Sequence, residues 1–125
     1  MSAPALLMVN AFIGTANFKK LYQELGYAVV AEWSERKAIA LVRKTPPAVI
    51  VADFFHQTDF RDRLSNLESL LATAQAAPHT KILVFYEAAH QAALDKVRAR
   101  LRIDTALTMP VQEDRLRAAL QAWPR

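Results

Sequence analysis

The sequence predicts an α/β fold: a five-stranded parallel sheet, doubly wound in the strand order 2-1-3-4-5. Three observations carry this reading. Short apolar runs alternate five times with amphipathic runs. The apolar runs are nearly continuous, as expected of parallel strands covered on both faces. Glycine, proline and capping residues fall between the runs, where a chain must turn.

Taken in order, Ala5 to Val9 reads as a buried strand bounded by Asn10. Thr15 is placed to cap a helix in which Phe18, Leu21, Tyr22 and Leu25 recur at helical spacing, and Gly26 stops it. Ala28 to Trp33 is the second strand. Ser34 caps a helix carrying Ala38, Leu41 and Val42, and Pro46 and Pro47 forbid its continuation. Ala48 to Ala52 is the third strand, and it delivers Asp53. Thr58 or Asp59 starts a long helix with Phe60, Leu64, Leu67, Leu71 and Ala74 on one stripe, and Pro78 follows it. Ile82 to Tyr86 is the fourth strand. A helix carrying Leu94, Val97 and Leu101 precedes a short fifth strand, Thr105 to Met109, broken by Pro110. The last helix turns Leu116, Leu120 and Trp123 inward.

Composition narrows the function classes. The 125 residues are 53% hydrophobic and 22% charged, which suits one globular domain spanning residues 1–125. There is no cysteine, which excludes disulfides, thiolate metal sites and a cysteine nucleophile. That usage fits a reducing cytosol, and a cytoplasmic location is expected. No apolar run approaches the roughly 18 to 20 residues of a membrane span. The start, MSAPALLMVN, lacks the pattern of a secretory signal. A net charge of +4 with well-mixed signs permits an acidic partner without demanding nucleic acid.

In doubly wound sheets, sites form at the carboxyl ends of the strands beside the switch point between the first and third. Here that edge collects Asn10, Asp53, Tyr86 and Met109. Other constellations are sparse. His56, His79 and His90 lie near different elements, so no metal site is expected; only His56 is close enough to Asp53 to share its edge. No Ser-His-Asp arrangement has a recognisable elbow. Glycine occurs only at Gly14 and Gly26, which excludes a glycine-rich phosphate loop. The chain is not read as an enzyme.

At this point the sequence resembles a family, the receiver domains of bacterial response regulators. "YQELGYAVV" is similar to their first helix and second strand, and "PPAVIVADF" to the third strand with its phosphoacceptor aspartate. "IDTALTMPV" is similar to the fifth-strand segment. The resemblance covers nearly the whole chain and implies the flavodoxin-like receiver fold. It also implies a cis peptide at Met109–Pro110, because the family segment has one.

The departures set the functional expectation. Receivers normally end the first strand on an acidic pair that holds Mg²⁺; here the residues are Asn10 and Ala11. They normally end the fourth strand on Thr or Ser, here Tyr86, and carry Lys before the fifth-strand proline, here Met109. Only Asp53 of that set is kept. Phosphoryl transfer needs charge neutralised on the moving oxygens, and metal and cation supply it. Mg²⁺ asks for carboxylates, phosphate oxygens and water together. Parts that act as a unit fail as a unit. The expectation is therefore a degenerate receiver with no cofactor, acting as a phosphorylation-independent interaction or dimerisation module in bacterial signal transduction. The alternative is a divergent phosphoacceptor in a two-component phosphorelay, with Asp53 as nucleophile and Mg²⁺ held in part by Asn10.

One surface feature bears on a partner. "DKVRARLR", residues 95–102, read as helix, sets Arg98 and Arg102 one turn apart, and Lys96 and Arg100 likewise. In receivers the fourth helix, fifth strand and fifth helix commonly form the partner or dimer surface. Arg98, Arg100, Arg102 and Arg115 are the residues expected on such a face, with Arg117 extending it and Glu113 and Asp114 available to pair across a twofold axis. The sequence ends at Arg125, soon after the last helix; unless it is a piece of a longer protein, output is expected through a partner. Nucleic-acid binding through the basic run lacks interleaved aromatics and a helix-turn-helix. A small-ligand pocket at the altered strand edge is a further possibility, with nothing in the sequence to name the ligand.

Overall fold

A computed structural model of the chain describes residues 3–9, 18–54 and 68–123. Its elements run β1 (Ala5–Val9), α1 (Lys19–Glu24), β2 (Ala28–Glu32), α2 (Glu35–Lys44), β3 (Val49–Asp53), α3 (Glu68–Ala74), β4 (Lys81–Tyr86), α4 (Gln91–Arg98), β5 (Thr105–Thr108) and α5 (Glu113–Gln121). A 3₁₀ turn, Ala88–His90, leads into α4. All five strands are parallel, in the expected order β2-β1-β3-β4-β5.

Strand alternation divides the apolar residues into two cores. Leu7, Val9, Ile50, Ala52, Ile82 and Val84 face Ala38 and Val42 of α2, Leu70 and Leu71 of α3, and Leu94 and Val97 of α4. Leu6, Met8, Val49, Val51, Leu83 and Phe85 face Leu21, Tyr22 and Leu25 on the α1 side, and Leu116 and Leu120 of α5. A helix layer on each face is what lets β1, β3 and β4 read as unbroken apolar runs.

Local signals set the boundaries. Ser34 caps α2, its hydroxyl oxygen accepting from the Lys37 N–H at 3.3 Å. After α1 the chain turns through Gly26 at φ +96°, a left-handed conformation that glycine adopts without penalty. The Met109–Pro110 peptide is cis, as the family resemblance implied.

Three expectations change. β2 stops at Glu32, and it is an edge strand with Ala28, Val30 and Ala31 exposed, not one covered on both faces. Its apolar sequence therefore does not mark burial; Trp33, beyond its end, is 65% exposed. α4 stops at Arg98, because the chain must turn there to enter β5; the Arg100 and Leu101 N–H groups both donate to the Val97 carbonyl. β5 stops at Thr108, one residue short of Met109. The cap at Thr15 and the helix start at Thr58 or Asp59 lie outside the described residues, as do Phe60, Leu64 and Leu67, while Leu71 and Ala74 of that stripe are buried.

Candidate functional site at the end of the third strand

β3 brings Asp53 to the carboxyl edge as its last residue, and the side chain is buried, 2% exposed. Alternation turns it towards α1 and α5, on the side of Val49 and Val51. The register then decides its neighbours. Asp53 pairs with Phe85 on β4, and Phe85 pairs with Leu107 on β5. The Phe54 N–H donates to the Phe85 carbonyl at 2.8 Å, which fixes that alignment.

Tyr86, expected beside Asp53, is one residue further on and faces the other side of the sheet. It belongs to the core under α2, α3 and α4, and its hydroxyl accepts from Thr108 Oγ1 at 3.2 Å. The residue alongside Asp53 is Phe85. The register decides this, Val49 aligning with Lys81 so that Asp53 falls beside Phe85. Phe85 has no hydroxyl to offer Asp53. Met109 is partly buried and packs on the same side as Asp53, against the α1 and α5 core. Asn10 and His56 lie outside the described residues.

Two aromatic residues escaped the sequence reading of this edge, although both stood on the helical stripe of α1. Phe18 meets Phe85 edge to face, ring centroids 6.1 Å apart. Tyr22 is fully buried, and its hydroxyl has no hydrogen-bond partner among the described residues. Burial holds this phenol well above the ordinary tyrosine value, and the negative charge of Asp53 pushes it further the same way.

Phe85, the register partner of Asp53, and Met109, on the same face, carry no oxygen ligand in their side chains; Asn10 and Ala11 lie outside the described residues. Among the described residues no group of three histidine, aspartate or glutamate side chains is placed to hold a metal ion. Two grooves among the described residues open elsewhere. One lies between α2 and α3, beside Arg36, Ile39 and Ser69; the other is at the amino edge of the sheet, beside Pro4, Pro47 and His79.

The four arginines of the expected partner face are not brought together. Arg102 is off the helix and half-buried, its guanidinium donating to Asp104 Oδ2, to the Thr80 carbonyl at 3.0 Å and to the Ala77 carbonyl at 3.5 Å. Arg100, in the turn after α4, pairs with Glu68 at 2.6 Å. Arg98 is exposed at the end of α4 and donates to the Ile103 carbonyl at 3.2 Å. Arg115 is exposed in the first turn of α5, at the opposite end of the sheet from these three. Arg117 reaches Glu24 of α1 at 3.4 Å.

No family model matches this chain, and neither does any curated protein sequence. Solved structures do. A Francisella response-regulator receiver domain is 20% identical, with a TM-score of 0.67 over 95% of this chain and 94% of that one. The signal receiver domain of a modulated diguanylate cyclase from Desulfovibrio desulfuricans is 17% identical, TM-score 0.73, covering 97% and 93%. The signal receiver domain of an HD-domain-containing protein from Pseudomonas fluorescens is 17% identical, TM-score 0.74, covering 98% and 87%. At these identities the likeness is one of fold: the chain has the flavodoxin-like receiver fold.

Proposed function

We propose that this chain is a receiver-type signalling module that works by contact with a protein partner and not through aspartyl phosphate. One observation carries the reading: Asp53 is buried with Phe85 as its register partner, on the face where Met109 also packs. A phosphorylated aspartate would add about −1.5 to −2 charge there. Transfer to it needs that charge met by metal and cation, whereas Phe85 and Met109 offer an aromatic ring and a thioether. The partner surface of this proposal is the side of α4, β5 and α5, where Arg98 and Arg115 are exposed and Arg100 and Arg102 serve the fold.

The test is incubation of the chain with acetyl phosphate and Mg²⁺, followed by intact mass measurement, beside a titration with beryllofluoride. No mass increase and no spectral change are expected. A gain of one phosphoryl group that disappears in Asp53→Asn returns the chain to the phosphorelay reading.

A further inference from the structure

β2 stands at one edge of the sheet. Its sequence, AVVAE followed by Trp33, is as apolar as the core strands, yet Val30 and Trp33 are 38% and 65% exposed. They are the two large hydrophobic side chains that stand in solvent among the described residues, and both belong to this edge. The Ala28 N–H donates to the Pro4 carbonyl at 2.8 Å, and Ala28 is in register with Ala5. Strand alternation then turns the backbone groups of Ala28, Val30 and Glu32 towards β1, and those of Val29 and Ala31 towards the open edge. Edge strands are ordinarily blunted by lysine, proline or a bulge. Residues 28–33 hold no lysine, arginine or proline, and β2 pairs with β1 residue for residue.

We propose that this edge is a homodimer interface, in which β2 pairs antiparallel with β2 of a second copy about a twofold axis opposite Val30. Two features select a second copy over an unrelated strand. The first is self-complementarity. About that axis Val29 of each copy meets Ala31 of the other, so the outward N–H and C=O groups of both residues exchange hydrogen bonds. Val30 meets Val30 in the closer, non-hydrogen-bonded position. The second is charge. The register sets Glu32 opposite Ala28 of the other copy, and the two Glu32 residues stand about 13 Å apart along the strand. α2 returns the chain to the level of Ala28, because the Ala48 N–H donates to the carbonyl of Ala5, the register partner of Ala28. Its last turn carries the exposed Arg43 and Lys44. The acid of one strand thus approaches the basic turn of the other copy. This inference holds however Asp53 is used.

Sedimentation equilibrium of the full chain over a range of concentrations tests it. A reversible monomer–dimer equilibrium is expected. Val30→Lys sets two ammonium groups opposite each other and is expected to weaken the dimer at least about tenfold. Glu32→Lys weakens it as well, and the exchange Glu32→Lys with Lys44→Glu restores it. Circular dichroism verifies that each variant is folded. A wild-type chain that stays monomeric into the millimolar range overturns the proposal. So does a dimer that survives Val30→Lys, is lost instead on reversing Arg98 and Arg115, or is not restored by the charge exchange.

Discussion

Tyr22 shows how one residue reports on the edge of the third strand. Its hydroxyl is buried without a hydrogen-bond partner among the described residues, on the α1 side of the sheet towards which Asp53 turns. A buried donor left unmade costs roughly 1 to 3 kcal/mol, and removing the group recovers part of that. Tyr22→Phe is therefore expected to raise stability at neutral pH by about 1 kcal/mol, read from urea unfolding. Its pH dependence has a definite sign. The folded phenol is held above the ordinary tyrosine value, first by burial and then by Asp53. Above about pH 10 the unfolded chain releases a proton that the folded chain keeps, so stability falls as pH rises. Tyr22→Phe should shrink that alkaline decline; an undiminished slope refutes the assignment. The same residues show where reading by position fails. Tyr86 ends its strand as expected, yet the pleat turns it to the opposite face and leaves Phe85 beside Asp53.

At the scale of elements, the basic run after α4 divides by what each arginine holds. Arg102 ties the chain between α4 and β5 to the ends of other elements. Its N–H takes the Gln75 Oε1, and its guanidinium takes two carbonyls and Asp104. Asp104 Oδ2 in turn accepts the Ile82 N–H of β4 at 2.8 Å. Arg100 makes one ion pair while itself 59% exposed. Part-buried, shared hydrogen bonds to charged groups are worth more than an exposed pair. Arg102→Ala is expected to cost about 2 kcal/mol or more, and Arg100→Ala under about 1 kcal/mol. Equal losses in thermal unfolding would show that the network adds nothing. Helical spacing made these arginines look like one external stripe; the end of α4 at Arg98 leaves Arg100 in an exposed ion pair and makes Arg102 an anchor of the fold.

For the whole molecule, the decisive fact is that stability resides in two cores separated by one sheet. Leu71 is fully buried under the α2, α3 and α4 layer. Leu71→Ala is expected to cost about 2 to 5 kcal/mol. Trp33→Ala, at the exposed edge, should change monomer stability by no more than about 0.5 kcal/mol. Differential scanning calorimetry at low protein concentration separates the two; a large loss at Trp33 would mean that the edge is covered within the monomer.

By itself the sequence determined the α/β class, the five-strand order, the Ser34 cap of α2, the Gly26 turn after α1, and the arrival of Asp53 at a strand end. Those are properties of neighbours along the chain: hydrophobic period, capping chemistry and the short reach of a turn. Only the tertiary structure decided that Phe85 and not Tyr86 stands beside Asp53, that Arg100 and Arg102 serve the fold, and that apolar β2 lies open at an edge. Each of these depends on which strands lie side by side and in what register. Hydrogen bonds between residues far apart in sequence fix that, and no local pattern encodes it.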